Sequence, residues 1–290
     1  MRLRAQESGF LGVEDINQLP SAPADARIAY GPDPDQFGDL RLPRGHGPFP
    51  VVIVIHGGCW VQRYADWRNT AALADALRGQ GMATWNIEYR RADQPGGGWP
   101  GTFLDVAQAA DALRGLARRY PLDVTRVVAI GHSAGGHLAL WLAARPRLSR
   151  TSVLALPAPL AIRGVVLIGG IADLGEFQAK EADICGEAVV TRLMGGSPAE
   201  RPARYEQGSP RQLLPIGVRQ FFINGEEDPV VPPRDSIRFV RAARAAGDQA
   251  DQQTVPAAGH FEYLSPATPA GKAACRAVAA LLEVIKPAAK

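Results

Sequence analysis

Val127-Val128-Ala129-Ile130-Gly131-His132-Ser133-Ala134-Gly135-Gly136-His137-Leu138 is the stretch on which the fold turns. A β-branched apolar run ends in Gly-x-Ser-x-Gly, and an amphipathic helical pattern begins at once. The spacing has a steric cause. A serine at the tip of a strained strand-to-helix turn projects its hydroxyl from the sheet edge, and the turn closes only if Gly131 and Gly135 carry no side chain to strike the neighbouring strand and helix. Ser133 is therefore the candidate nucleophile. The competing reading, a phosphate-binding glycine turn, lacks a Lys after the glycines and does not match the dinucleotide fingerprint.

Outward from that turn, short apolar runs alternate with longer helical patterns from Pro50 onward. Strands are expected at Val51 to Ile55, Ala83 to Glu88, Arg126 to Ile130, Gly164 to Ile168, Gln220 to Ile223 and Gln252 to Val255. Helices are expected at Thr70 to Gly79, Phe103 to Arg119, Gly135 to Ala144, Arg234 to Ala246 and Gly271 to Ile285. That alternation predicts an α/β fold with a mostly parallel central sheet and helices on both faces. The segment to about Gly47 is expected to add an antiparallel edge strand or two around Ile28-Ala29-Tyr30. One connection breaks the rhythm. Residues 173–215 are too long and polar for a simple crossover and carry Leu193, Met194 and Tyr205, which suit packing, so a small lid or cap insertion is expected there. The whole chain, 1–290, reads as a single domain around one core.

Composition narrows the function. The chain has 290 residues, 46% of them hydrophobic, enough for a full core. Its 32 basic and 29 acidic residues give a net charge of +3 without basic blocks, which argues against nucleic acid as a partner. No stretch stays apolar long enough to cross a bilayer, and Met1 to Pro20 lacks the continuous apolar run of a signal peptide. Cys59, Cys185 and Cys275 are odd in number and far apart, which suits free thiols in a reducing compartment; a cytoplasmic protein is expected. No metal or organic cofactor is expected. The sequence does not indicate an oligomeric state.

A serine hydroxyl needs a base. Of the five histidines, His132 and His137 sit on or just after the turn, and His46 and His56 precede the nucleophile. A sheet with this turn supplies its residues in the order serine, acid, histidine, which leaves His260, in Gly259-His260-Phe261 beyond the last strand. The acid belongs on a loop after an intervening strand, and Asn224-Gly225-Glu226-Glu227-Asp228-Pro229 supplies it. Asp228 is preferred because a residue before proline is held extended. Glu227 is the spare, Asp173 ranks third, and Glu226 is expected to face solvent. Backbone amides for the developing oxyanion are expected from Ala134 and from the loop His56-Gly57-Gly58-Cys59-Trp60, with Gly58 and Cys59 as donors and His56 as a brace. A nucleophilic or metal-binding Cys59 has no triad or second ligand to support it.

Taken together, His-Gly-Gly-x-Trp at His56 to Trp60, Glu88-Tyr89-Arg90, Gly97-Gly98-Trp99-Pro100, Gly-His-Ser-Ala-Gly-Gly-His, Asp-Pro-Val-Val-Pro and Gly-His-Phe resemble the esterase and arylformamidase branch of the α/β-hydrolases. The resemblance runs from about Pro50 to the carboxyl end. It implies the α/β-hydrolase fold and a Ser-His-Asp serine hydrolase of small acyl or aryl carboxylic esters. His-Gly-Gly-x-Trp is similar to the oxyanion motif of kynurenine formamidases, which implies N-formylkynurenine or another formamide as the alternative substrate. The lipase-like branch has Gly where this chain has Cys59. An aminopeptidase or a non-catalytic module on the same fold fits less well. The resemblance also singles out Trp60, Tyr89 and Trp99, with Arg90, either as walls of a substrate pocket or as packing and a structural ion pair beneath the site.

Overall fold

Alternate residues of the central strands belong to opposite layers of the protein. In β3, Val51, Ile53 and Ile55 join one apolar cluster while Val52 and Val54 join the other. The same division splits Val127 and Ala129 from Val128 and Ile130, and Val165 and Leu167 from Val166 and Ile168. A strand buried on both faces must be apolar throughout, which is why these segments read as unbroken apolar runs. The computed structural model describes residues 9–285; residues 1–8, part of the stretch read above for a leader, and 286–290 lie outside the described residues.

In chain order the elements are α1 (Val13–Asn17), β1 (Ala26–Ala29), β2 (Phe37–Arg41), β3 (Phe49–Ile55), α2 (Ala71–Gly79), β4 (Ala83–Ile87), α3 (Gly101–Leu116), β5 (Leu122–His132), α4 (Ala134–Ala144) and β6 (Gly164–Ile168). Then follow α5 (Leu174–Gln178), α6 (Glu181–Cys185), α7 (Val189–Met194), α8 (Pro202–Gly208), β7 (Arg219–Gly225), α9 (Pro233–Ala245), β8 (Ala250–Val255) and α10 (Pro269–Val284). The eight strands form one sheet in the order β1-β2-β4-β3-β5-β6-β7-β8. Only the β1–β2 and β2–β4 pairings are antiparallel. Helices α3, α4 and α9 cover one face and α2 and α10 the other. At the far edge, β8 exposes Gln253 and Thr254, polar residues that blunt an unpaired edge.

The order of strands reverses around β3: the chain passes from β3 to β4 on one side, then back past β3 to β5 on the other. Such a switch point opens a crevice at the carboxyl ends of the strands, where ligands bind in open α/β sheets. Helices α5 to α8 are inserted between β6 and β7. His137 Nε2 donates to the Gly208 carbonyl at 2.8 Å, Trp141 Nε1 to that of Gln207 at 2.9 Å, and the Trp99 amide to that of Leu193 at 2.7 Å, tying the insertion to the body.

One expectation fails. Cys59 and Cys185 form a disulfide across 126 residues of sequence, and only Cys275 is free and buried. Linear spacing hid the pair, because the fold brings the loop after β3 against the end of α6.

Candidate active site

Register aligns the first two parts of the site. Ile55 of β3 pairs with Gly131 of β5, so the segments that leave these strands, His56-Gly57 and His132-Ser133, emerge side by side. The approach leaves no room for side chains. A Cβ on Gly135 would lie 2.2 Å from the Ile55 carbonyl oxygen, and one on Gly131 would lie 2.1 Å from the Gly135 carbonyl oxygen. Ser133 takes φ 53° and ψ −119°, a backbone conformation that non-glycine residues adopt only when their surroundings enforce it. Here the Ser133 amide donates to the Ile168 carbonyl at 3.1 Å, and its own carbonyl accepts from Gly136 at 2.9 Å and Ile171 at 3.2 Å.

The candidate acid and base are brought into contact from the ends of β7 and β8. His260 Nδ1 donates to Asp228 at 3.0 Å and 2.9 Å from its two carboxylate oxygens. Asp228 Oδ1 also accepts from the amides of Val230 at 2.8 Å and Val231 at 2.9 Å. Its other oxygen accepts from the Tyr263 hydroxyl at 3.0 Å. Burial by itself raises the Asp228 pKa; the His260 ring and the two amides outweigh it and hold the carboxyl below its usual range. Glu226 and Glu227 are both exposed, and Asp173 caps α5 by accepting from Gly175 at 3.0 Å and Glu176 at 3.2 Å.

His132, passed over above as the base, nonetheless lies against it. Its ring centroid lies 4.6 Å from that of His260, and its Nε2 donates to the His260 carbonyl at 2.7 Å. Burial, followed by the neighbouring His260, pushes the His132 pKa down to about 3, so this ring stays neutral while it positions the loop of the base. Gly169 is a second residue the sequence reading passed over. At φ +52° it sits beneath the acid–base pair, and a Cβ there would lie 3.0 Å from Asp228 Oδ2 and 3.2 Å from His260 Nδ1. Tyr263 is a third. It holds Asp228 while accepting from the Gly225 amide, and its burial beside that carboxylate raises its own pKa far above the usual phenol range. A glycine pair directly after a strand, and a tyrosine three residues beyond the histidine, were the available signals.

The candidate oxyanion loop is built on a buried charged brace. His56 faces acceptors at both ring nitrogens, the Gly57 carbonyl at 3.0 Å and Glu88 Oε1 at 2.9 Å. Glu88 is also paired with Arg91. Desolvation pushes the Glu88 pKa up, but His56, Arg91 and the Tyr89 amide outweigh it and the net shift is downward. Gly58, Cys59 and Trp60 follow one another at φ 95°, 51° and 54°, three successive residues in the left-handed region. Ala134, the first residue of α4, has an amide with no acceptor inside its helix.

Of the two readings left open for the aromatic residues near the strand ends, the contacts are those of packing. Tyr89 is wholly buried; its ring stacks on His56 at 4.4 Å and its hydroxyl donates to the His56 carbonyl at 3.0 Å, so it props the loop from beneath. Trp60 is also wholly buried, edge-on to His137 at 5.3 Å and Phe177 at 6.2 Å. Trp99, half-buried, packs on Phe103 and lies under Arg204 of the insertion. Arg90 pairs with Asp105 at 2.7 Å, the structural ion pair. Among the described residues no group of three or more His, Cys, Asp or Glu is arranged to hold a metal ion, and no helix is long and apolar enough to cross a membrane.

Known proteins give this geometry its context. Esterase LipQ of Mycobacterium tuberculosis is 27% identical over 241 residues, which cover 81% of this chain and 55% of that protein. Isoprenylcysteine alpha-carbonyl methylesterase of Arabidopsis thaliana is 31% identical over 119 residues, 39% of this chain and 26% of its own length. The chain thus spans about half or less of these curated relatives. Among solved structures, a truncated carbohydrate esterase from gut microbiota superposes with a TM-score of 0.75 at 20% identity, covering 91% of this chain and 100% of that one. Esterase B of Lactobacillus rhamnosis does so with a TM-score of 0.75 at 20% identity, covering 91% and 89%. These likenesses are of fold, and the fold is that of the α/β-hydrolases. The sequence profile of the BD-FAE family matches residues 39–242, well over half of the chain, and the chain belongs to that family.

Proposed function

We infer that the chain is a serine hydrolase of small carboxylic esters acting through an acyl-enzyme. The observation that carries the reading is the shared rim: Ser133 on its strained turn beside the His56 loop, with the buried Asp228–His260 pair at the same sheet end. In the proposed cycle Ser133 Oγ attacks the ester carbonyl carbon as its proton passes to His260 Nε2. The carbonyl oxygen becomes an oxyanion held by the amides of Ala134, Gly58 and Cys59. The bond to the alcohol then breaks, the alcohol leaves with the proton from His260, and water repeats the sequence to free the acid. Asp228 keeps Nδ1 protonated and favours the imidazolium. The insertion of α5 to α8 serves as the cap over this site. Family membership and the ester-cleaving names of the relatives support the same class.

A second reading, hydrolysis of an aryl formamide, is favoured by the His56 to Trp60 motif. The disulfide supports an oxidising compartment over the cytoplasm expected from cysteine spacing. Steady-state rates on p-nitrophenyl acetate, p-nitrophenyl octanoate and N-formylkynurenine separate the readings. Acetate turned over at least tenfold faster than the other two is the expected result. A preference for N-formylkynurenine replaces the ester reading with the formamide one, and inertness on all three removes both.

A further inference from the structure

The loop that carries the candidate oxyanion amides closes one turn of its own, the Val61 amide donating to the Gly58 carbonyl at 2.8 Å, and is otherwise held from outside. Cys59 and Trp60 are consecutive non-glycine residues at positive φ, each a strained conformation that persists only where contacts outside the loop impose it. On one side the body holds it, through the buried Trp60 ring and the Ala92 amide, which donates to the Trp60 carbonyl at 2.8 Å. On the other side the insertion holds it. Cys59 Sγ is bonded to Cys185, the buried last residue of α6, with the two Cα atoms 6.3 Å apart. The grip continues along the chain: Tyr64 Oη donates to the Cys185 carbonyl at 2.6 Å, and Arg63 pairs with Glu187. One of the three residues whose amides are assigned to the oxyanion, Cys59, is therefore bonded covalently to the insertion.

Resting on the esterase reading above, we propose that the Cys59–Cys185 disulfide is a positioning device for the oxyanion hole, and that a dithiol reversibly lowers turnover by breaking it. In that exchange a thiolate of the dithiol attacks one sulfur of the bond and expels the other as a thiolate. The second thiol of the reagent then closes its own ring disulfide and releases the first sulfur. Two electrons and two protons pass to Cys59 and Cys185. Oxidised glutathione reverses the change. Loss of an oxyanion-hole donor typically costs about 10² to 10³ in kcat, so a loosened donor is expected to cost about tenfold. Because this donor acts on the transition state, KM stays nearly constant.

The test combines thiol counting with kinetics on p-nitrophenyl acetate, with kcat expressed per active site titrated by an organophosphate. Oxidised protein in denaturant is expected to show one free thiol and dithiothreitol-treated protein three. The expected kinetics are a tenfold lower kcat on reduction, KM within about twofold, and recovery with oxidised glutathione. Cys185→Ala is expected to start at the low kcat and ignore dithiothreitol, while Cys275→Ala behaves as wild type. Three thiols counted with kcat unchanged overturn the proposal and leave the esterase reading standing. So does an activity loss carried wholly by fewer titratable sites, because the bond then only stabilises the fold. So do three thiols that oxidised glutathione cannot reduce to one. An oxidised chain inert on every ester removes the esterase reading and this proposal with it.

Discussion

Ser133→Ala is expected to lower kcat for p-nitrophenyl acetate by about 10⁴-fold or more while leaving the fold intact, as read by circular dichroism and thermal melting. The magnitude follows from what alanine removes: the only atom that forms the acyl-enzyme, in a set of residues whose effects are strongly non-additive. Alanine also keeps a Cβ at φ 53°, so it neither relieves nor adds to the strain of the turn. The residual rate measures what the amides and the pocket contribute without a nucleophile. A variant retaining a tenth of wild-type turnover would move the nucleophile elsewhere.

Asp228→Asn is expected to cost a similar factor, about 10⁴ in kcat, for a different reason. Asparagine Oδ1 still accepts from Val230 and Val231, which leaves Nδ2 facing His260 Nδ1 and the Tyr263 hydroxyl. An amide N–H there favours the wrong imidazole tautomer and cannot stabilise an imidazolium. It also gives Tyr263 a second incoming donor beside the Gly225 amide and leaves the phenol proton without an acceptor. That mismatch is expected to cost about 1–3 kcal/mol of stability by chemical denaturation. The pH dependence has a definite sign. Because the folded pKa of Asp228 lies below the ordinary carboxyl value of 3.8, its contribution to stability is complete above that value and is lost as pH falls through the folded pKa. Asp228→Asn is therefore expected to lack that acid-side loss in unfolding curves taken below about pH 4. Wild-type turnover in this variant would exclude Asp228 as the orienting acid.

What the sequence disclosed and what it withheld divide along physical lines. β6 was legible to the residue, and β3 and β5 to within a few, because burial on both faces writes an unbroken apolar run into local sequence. The candidates Ser133, Asp228 and His260 could be nominated because each stands on a turn whose glycine or proline chemistry is local. The disulfide was not, since two cysteines 126 residues apart carry no local mark of the contact between the β3 loop and α6. Tyr89 and Trp60 kept two readings open. Aromatic residues near strand ends suit a pocket wall and a buried prop equally well, and only the observed hydrogen bonds to His56 and Gly57 distinguish the two for Tyr89. Gly169 and Tyr263 act on Asp228 through space from other strand ends, a relation that needs the register of β6, β7 and β8 before it can be read.

The central claim, that Ser133 is the nucleophile of a serine hydrolase, is tested most directly by labelling with diethyl p-nitrophenyl phosphate and locating the adduct by peptide mass spectrometry. The account predicts one diethylphosphoryl group per chain, on Ser133, with esterase activity falling in proportion to labelling and no adduct at this position in Ser133→Ala. Full activity in labelled protein, or an adduct formed on another residue as activity disappears, would contradict it.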